Sequence, residues 1–216
     1  MKMLLSLVSV FTMVSFAADI TGSVTAPKAK GMPAGAQMSK ADPNCPKNKA
    51  PNEVVQVQAT KLQNAFVYVK GAPAGGTPGP AATIDQKGCV YAPHAVGVLV
   101  GQPLKIMNSD PTMHNVNAKS GKSQGFNAGM VAGAAPIEKK FTKAEFIKFK
   151  CDVHGWMNSV VGVFDNAFFA VTDKDGKFTI TGVPAGEHTV AVWHEKLGEK
   201  EMKVKVTDKG TADFIL

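Results

Sequence analysis

The sequence predicts an all-β fold on three observations. Short runs rich in valine, isoleucine and phenylalanine recur between turn signals, and glycine and proline are plentiful, with 21 and 13 residues. No long segment keeps the apolar periodicity of a helix. With 216 residues and a hydrophobic content of 44%, the chain is long enough to bury one substantial core or two small ones.

The N-terminus has the pattern of an export signal. Lys2 provides a positive start, residues 3–16 are apolar apart from serine and threonine, and Ser15 and Ala17 are the small residues of a cleavage site. The apolar run is shorter than the roughly 20 residues that a membrane-spanning helix needs. We therefore expect a signal peptide at residues 1–17 that is cleaved off, a periplasmic or secreted location, and no transmembrane segment.

The region before residue 81 is predicted to hold three strands. Apolar and polar residues alternate at 19–25, which predicts the first strand, and two more are predicted at 53–59 and 64–70. Between the first and the second of these strands, residues 26–51 are rich in lysine, proline, glycine, alanine and asparagine, and this composition predicts a long loop. Residues 71–80 hold four glycines and three prolines, so they are predicted to connect two domains.

A second strand-rich region is predicted after the connector. In the run 146–151, Ile147, Phe149 and Cys151 alternate with polar residues, so Cys151 is expected on the core side at the end of a strand. Residues 122–136 are rich in glycine and alanine and predict a loop over a site. The strands of this region are expected at residues 83–91, 96–100, 104–107, 137–141, 146–151 and 159–164, and the first of them is expected to contain a turn or bulge at Gln86-Lys87-Gly88.

Four side chains of this region are candidate metal ligands. Cys151, His154 and Met157 lie within seven residues, and His114 follows the predicted strand 104–107. Soft and borderline metals prefer thiolate, imidazole and thioether ligands, and two histidines and one cysteine with a long axial methionine are diagnostic of an electron-transfer copper site. The candidate metal ligands are therefore His114, Cys151, His154 and Met157.

Other interpretations of these ligands stay open at this point. Zinc could bind His114, Cys151 and His154 with water as the fourth ligand, although a methionine at this spacing favours copper. Met113 or Met130 could take the axial position instead of Met157, which would then serve packing alone.

The three cysteines bear on the same question, because oxidising compartments pair thiols. If Cys151 binds a metal it stays unpaired, and Cys45 and Cys89 are then free to form a disulfide with each other. A disulfide between Cys151 and either of the others would remove the metal site.

Short motifs in residues 82–164 carry a family resemblance. They are, in order, Tyr91-Ala92-Pro93, Val98-Leu99-Val100-Gly101, Asn108, His114-Asn115-Val116 and the Cys-x-x-His-x-x-Met loop that begins at Cys151. Together they resemble a cupredoxin, the small blue copper fold of plastocyanin and amicyanin, with the short loop spacing of amicyanin. Met113 and Gly155 depart from that pattern, since the family often has proline at both places.

The resemblance implies a cupredoxin Greek-key β-sandwich that holds one type 1 copper ion. His114, Cys151 and His154 would be its equatorial ligands and Met157 its axial ligand. It implies a protein that transfers electrons by cycling between Cu(I) and Cu(II), with a redox partner protein such as a c-type cytochrome or a dehydrogenase. His154 is expected to be the ligand nearest to solvent, beside Trp156. The alternative function is a copper-binding storage, structural or adhesive module that recognises a protein or a glycan.

The C-terminal tail carries a second resemblance. A Thr-Asp-x-x-Gly-x-Phe turn at 172–178 and a Pro-Ala-Gly turn at 184–186 resemble the carboxypeptidase regulatory-like β-sandwich. We therefore expect a second small regulatory-like β-sandwich, formed by residues 18–75 with 165–216, and a copper domain at 76–164 inserted into it. The alternative is a plain two-domain order in which residues 19–164 form one unit.

Charge and motif content argue against two broad functions. The net charge is +7, but every cation is a lysine, the lysines are scattered, and no arginine is present, so nucleic acid is not expected as a partner. The basic surface could instead steer an acidic partner. No His-x-His pair marks a second copper and Asp173 and Asp175 belong to a turn, so an enzyme is not expected. His94 is interpreted as structural or exposed.

Overall fold

The computed structural model describes residues 17–30, 35, 37–51 and 53–216. This part of the chain is all-β, as predicted, apart from the single-turn helix α1 (Met38–Ala41). Residues 1–16 of the expected signal peptide lie outside the described residues, and Ala17 begins the first strand. No helix in the described part of the chain is long and apolar enough to cross a membrane.

Eighteen strands are formed by the described residues. In chain order they are β1 Ala17–Thr25, β2 Val57–Gln58, β3 Lys61–Leu62, β4 Phe66–Lys70, β5 Ala82–Gln86, β6 Tyr91–Ala92, β7 Ala95–Leu99, β8 Leu104–Asn108, β9 His114–Lys119, β10 Phe126–Met130, β11 Ile137–Lys139, β12 Glu145–Lys150, β13 Asn158–Phe164, β14 Phe169–Val171, β15 Lys177–Pro184, β16 Gly186–His194, β17 Gly198–Val206 and β18 Gly210–Ile215.

Two sheets are formed by residues 82–164. One has the strand order β10-β9-β12-β13-β7 and the other β11-β8-β5-β6. Most neighbouring strands are antiparallel, but β13 is parallel to β7 and β5 is parallel to β8. Their apolar residues share one core, in which Val98, Ile106, Ile147 and Phe149 are buried. Burial of each such side chain stabilises the fold by about 1.5–3 kcal/mol, so this core fixes the strand ends that carry the candidate site.

The first and last parts of the chain share two further sheets. β1 pairs with β15 in antiparallel and with β18 in parallel orientation, and β4 lies between β14 and β16. A second core with Ile20 and Val67 lies beneath these strands. The pairings support our proposal that residues 18–75 with 165–216 form one discontinuous unit into which 76–164 are inserted.

An aromatic cluster joins the two groups of sheets. The ring centroids of Phe66 on β4 and Phe164 on β13 are 6.0 Å apart, and Phe146 on β12 stacks on Trp193 of β16 at 3.8 Å. Gly162 on β13 makes room for these rings, because a Cβ at that position would lie 2.8 Å from the ring of Phe66. The contact surface between the sheets is therefore apolar and closely packed.

Two local predictions differ from the structure. The predicted loop at 122–136 contains β10, an edge strand on β9 whose glycine and alanine residues hide any strand pattern. The predicted strand at 53–59 is reduced to β2. By contrast, the turn or bulge predicted at 86–88 within the strand 83–91 is confirmed, because β5 and β6 are separated by a turn in which Gly88 and Cys89 have φ angles of 67° and 57°.

The predicted loop at 26–51 also has an unexpected position. Its Met38, Cys45 and Ala50 are buried in the core of residues 82–164, although the proposed division assigns this segment to the other unit. The reason is covalent, because a disulfide joins Cys45 to Cys89 in the turn between β5 and β6. The segment 37–50 therefore covers one end of the sheets that hold the candidate ligands, and we refer to it as the covering segment.

Candidate metal centre

The turn before β9 places His114. The side chain of Asn108, at the end of β8, donates to the carbonyl oxygens of Thr112 at 2.9 Å and Met130 at 2.8 Å, and it accepts from the backbone N–H of Asp110 at 3.0 Å. Asn108 thus connects the turn between β8 and β9 to β8, on which it lies, and to β10, which contains Met130. His114 begins β9 immediately afterwards and is fully buried.

The loop after β12 places the other three candidates. The backbone N–H of Cys151 donates to the carbonyl of Met157 at 3.1 Å, and the N–H of Met157 donates to the carbonyl of His154 at 2.9 Å. These bonds close the loop tightly, and all three side chains are buried. As predicted from the alternation along β12, Cys151 lies on the core side.

The structure brings three of the four predicted ligands together. The Nδ1 atoms of His114 and His154 are 2.9 Å apart, and Cys151 Sγ is 4.0 Å from His154 Nδ1. The ligand atoms of the three residues all lie within 4.8 Å of one another. Met157 is buried in the same core cluster as Cys151.

Asn115 connects the two ligand-bearing segments. Its Oδ1 atom accepts from the backbone N–H of Asp152 at 2.6 Å and lies 3.4 Å from Cys151 Sγ. The backbone N–H of His154 also points at Cys151 Sγ, at 3.3 Å. The Cys151 thiol thus donates to Asn115 Oδ1 of β9 and accepts from the N–H of His154, so both segments hold the sulfur in place.

Each histidine faces a carboxylate on its far side. His114 Nε2 is 2.9 Å from Asp110 Oδ2, and His154 Nε2 is 3.2 Å from Asp42 Oδ2. Because a carboxylate only accepts hydrogen bonds, the ring Nε2–H donates in both pairs. In the neutral ring, the lone pair is then on Nδ1 and faces the other ligands.

Sequence reasoning missed both carboxylates. Asp110 lies between the recognised residues Asn108 and His114. Its position four residues before His114 was a signal that could have been used. Asp42 gave none, because it lies in a segment that the disulfide and other tertiary contacts bring to the site.

The pKa shifts at the site follow from burial and hydrogen bonding. Burial lowers the pKa of His114 below its ordinary value, and this outweighs the hydrogen bond to Asp110, which acts in the opposite direction. The hydrogen bond from Thr112 Oγ1 lowers the pKa of Asp42, with a smaller contribution from the N–H of Asn44. At neutral pH, Asp42 is therefore an anion and His114 a neutral, metal-competent imidazole.

The covering segment shields His154 from solvent. Asp42 contacts its Nε2 atom and Cys45 Sγ lies 3.9 Å from the same atom, so that only 2% of His154 is exposed. Cys151 is exposed to the same 2%, and His114 and Met157 are fully buried, so the expectation that His154 is the ligand nearest to solvent stays a prediction. Trp156 does lie beside it, at 5.1 Å between ring centroids, and donates from Nε1 to the carbonyl of Cys89.

The disulfide decides between the cysteine pairings. Cys45 is bonded to Cys89, and Cys151 is a free, buried thiol. The pairing that would have removed the metal site is absent from the described residues. Two other groups of potential ligands contain Cys45 or Cys89, and they offer no thiolate while the disulfide is intact.

The donor set fits a single soft or borderline cation. Two imidazole nitrogens 2.9 Å apart, both with lone pairs directed inward, repel each other unless a proton or a cation lies between them. Metal–nitrogen distances of about 2.0 Å allow both to contact one ion. A free thiol completes the set. Of the alternative axial methionines, Met113 is 49% exposed, and Met130 accepts a hydrogen bond from Gln86 Nε2 on its sulfur.

The other histidines lie away from the ligands. His94 is buried, with Nδ1 3.1 Å from the carbonyl of Asn158 and Nε2 2.7 Å from Glu195 Oε1, so it is a structural residue. His188 contacts the carbonyl of Pro184 in the other group of sheets. The prediction that His94 is structural or exposed agrees with this placement.

One protein family matches part of the sequence. It is described as polysaccharide lyase family 4, domain II, and it matches residues 128–214, which is less than half of the chain. The match begins in β10 and so includes strands of both cores. It is not a match to the carboxypeptidase regulatory-like family, whose presence in the tail stays a prediction. No curated protein matches the sequence.

Several solved copper proteins are similar to part of the chain. A purple cupredoxin from Nitrosopumilus maritimus is 21% identical, with 38% of this chain and 99% of that chain covered and a TM-score of 0.34. A copper-containing nitrite reductase from Thermus scotoductus is 16% identical, with coverages of 44% and 25% and a TM-score of 0.37. An amicyanin variant in its Cu(I) form is 18% identical, with coverages of 45% and 98% and a TM-score of 0.36. Because these TM-scores are low, the candidate ligands are assigned from the distances between this chain's own residues.

Proposed function

We propose that this protein is an exported electron carrier with one type 1 copper ion bound by His114, Cys151, His154 and Met157. The observation that supports this most strongly is the convergence of two imidazole Nδ1 atoms and one free thiol in a buried site. Two histidines and one cysteine near a buried methionine are the ligand types of a blue copper site, not of a structural zinc site, which is usually closed by four cysteines or histidines.

The residues of the chain would perform distinct tasks in this function. Bound copper supplies one-electron chemistry by alternating between Cu(I) and Cu(II). Cys151 offers its sulfur, and His114 and His154 offer their Nδ1 atoms. Asn108 and Asn115 tie the ligand segments to the sheets, so the site keeps one geometry. A site that does not rearrange suits both oxidation states, and no catalytic role is proposed.

Exposed apolar side chains beside the ligands support a docking role. Met113, Val131 and Val153 are 49%, 60% and 53% exposed, and two of them directly precede ligands in the sequence. Exposed apolar residues close to a functional site commonly mark a surface for a protein partner. We infer that a redox partner, of the type of a c-type cytochrome or a dehydrogenase, docks there, and that the positive net charge favours an acidic partner.

Optical spectroscopy of the copper-loaded protein tests the proposal. The mature chain with Cu(II) is expected to show an intense thiolate-to-copper absorption that disappears on reduction. Cys151→Ser is expected to remove the colour, whereas Cys45→Ser with Cys89→Ser, which leaves Cys151 in place, is expected to keep it. A colourless wild-type protein, or colour that survives Cys151→Ser, would refute the assignment.

A second function, copper storage without rapid electron exchange, is favoured by the cover over His154. In that case, a small redox reagent would oxidise and reduce the bound copper slowly, and removal of the disulfide would accelerate both reactions strongly. An electron carrier would exchange electrons rapidly with the disulfide intact. Stopped-flow measurements on the wild-type and the Cys45→Ser, Cys89→Ser proteins separate the two functions.

A further inference from the structure

A carboxylate contacts the Nε2 atom of each of the two candidate histidine ligands. Asp110 Oδ2 lies 2.9 Å from His114 Nε2, and Asp42 Oδ2 lies 3.2 Å from His154 Nε2. Asp110 belongs to the turn before β9, but Asp42 comes from the covering segment, outside residues 82–164. One ligand is therefore oriented from within its own sheets and the other from a separate part of the chain.

Both carboxylates are fixed next to the same disulfide. Asp110 accepts from the backbone N–H groups of Gly88 at 2.6 Å and Cys89 at 2.7 Å. Asp42 lies on the other side of the bond, where its carbonyl accepts from the N–H of Cys45 at 3.0 Å. The Cys45–Cys89 disulfide thus links the segment that carries Asp42 to the turn whose N–H groups bind the Asp110 carboxylate.

Asp42 has further partners that hold its carboxylate in place. Its Oδ1 atom accepts from the N–H of Asn44 at 2.8 Å, and its Oδ2 atom accepts from Thr112 Oγ1 at 2.5 Å. Thr112 belongs to the turn that Asn108 ties down beside His114. The carboxylate is consequently oriented toward His154 by groups on both sides of the site.

We propose that Asp42 is a positioning residue for His154, held by the disulfide-linked covering segment, and that it matches the role of Asp110 at His114. The proposal rests on the proposed copper site. A carboxylate at Nε2 fixes the tautomer with the hydrogen on Nε2, orients the ring and makes Nδ1 a stronger electron donor. A stronger donor stabilises Cu(II) more than Cu(I), so Asp42 lowers the reduction potential.

The first test needs no metal. Nitrogen NMR of the metal-free protein reports which ring nitrogen of His154 carries the hydrogen, and the wild type is expected to carry it on Nε2. Asp42→Ala is expected to give a mixture of tautomers at His154 while His114 is unchanged. Asp42→Asn, whose amide oxygen still accepts, is expected to retain the wild-type tautomer. Asp85→Asn is the matched control, because Asp85 binds Ser109 of the same turn and no histidine.

The second test uses Cu(II) alone as the probe. Asp42→Ala is expected to weaken copper affinity about 10–100-fold and to raise the reduction potential, with a smaller effect for Asp42→Asn and none for Asp85→Asn. If Asp42→Ala fails to fold, the reduction potential of Asp42→Asn tests the proposal instead. It is expected to lie above that of the wild type, and an unchanged potential would contradict the role of Asp42.

The outcomes separate this inference from the proposed function. A blue wild-type protein whose His154 tautomer and potential are unchanged by both Asp42 substitutions would overturn the role of Asp42 alone. A wild-type protein that gives no blue copper site would overturn the proposed function. The NMR comparison in the metal-free protein would then still decide whether Asp42 positions the ring.

Discussion

The Nδ1 atoms of His114 and His154 lie 2.9 Å apart, although the two residues belong to different segments and each ring has a carboxylate at its other nitrogen. Such a pair is electrostatically unfavourable when both nitrogens carry lone pairs and favourable when they share a cation. The folded protein therefore presents an assembled candidate site for a cation, which the unfolded chain lacks.

Zinc should stabilise the fold for this reason. A ligand that binds only the folded state adds RT ln(1 + [L]/Kd), which is about 2.7 kcal/mol at 100 times Kd. Zn(II) is a suitable probe because it has no redox chemistry. Titration with Zn(II) in a thermal unfolding experiment is expected to raise Tm for the wild type and much less for Cys151→Ala. An equal rise in both proteins would place the zinc elsewhere.

Loss of the disulfide should loosen the covering segment. Cys45 and Cys89 are separated by 44 positions, and removal of a disulfide that closes a loop of this size costs about 2–4 kcal/mol. Cys45→Ser with Cys89→Ser is expected to lower stability by that amount in urea. Because Cys45 covers His154, copper should also pass to a chelator faster. Unchanged copper release would show that the segment does not control access.

Asn108 should matter for both stability and ligand placement. Its side chain is buried and donates to the carbonyls of Thr112 and Met130. Asn108→Ala leaves these groups without their donor, at a cost of about 1–3 kcal/mol, and it frees the turn that carries Asp110. Urea unfolding and Zn(II) affinity are expected to fall together. Asn117→Ala, which removes an exposed bond to Asp152, is the control and should affect neither strongly.

The sequence was sufficient to predict that the candidate ligands His114, Cys151 and His154 lie together. The alternation along β12 correctly placed Cys151 on the core side, and the spacing of Cys151 and His154 correctly indicated that the two lie together. His114 was found because its surrounding motif has a recognisable order. Each of these signals is contained in a few neighbouring residues.

The cover over the site could not be predicted in the same way. Asp42 reaches His154 from a proline- and lysine-rich stretch whose composition indicates only a loop, and its position depends on which cysteines pair. Likewise, β10 is an edge strand that is held by backbone bonds to β9, so its side chains need no apolar alternation. Contacts of this kind are set by tertiary structure, and a local pattern does not report them.

Glu145 should contribute to stability at acid pH. Burial raises its pKa, but hydrogen bonds from Ser120 Oγ and the N–H groups of Gly121 and Ser123 outweigh this and bring the value from 4.5 to about 2. A carboxyl whose folded pKa is depressed stabilises the protein above its unfolded pKa, and this contribution is lost as pH falls from 4.5 toward 2.

The test compares unfolding of the wild type and Glu145→Gln at pH 6 and pH 3. The variant is expected to be less stable at pH 6, and the difference should shrink at pH 3. Glu138→Gln, at an exposed position on β11, serves as the control. A difference that is independent of pH would mean that the loop at 120–123 is held by other contacts.

Phe66 should couple the two groups of sheets. It is fully buried, and its ring lies 5.4 Å from Phe146 and 6.0 Å from Phe164, which belong to the sheets that carry the candidate ligands. Phe66→Ala is expected to cost about 3–5 kcal/mol, as for other buried phenylalanines. We expect the wild type to unfold in a single calorimetric transition. Because the lost contacts lie between the sheets, we expect Phe66→Ala to unfold in two, with copper-dependent stabilisation confined to one. Val67→Ala, at the next position of β4 but within the other core, should lower stability and leave one transition. A single transition in Phe66→Ala would mean that other contacts couple the two cores.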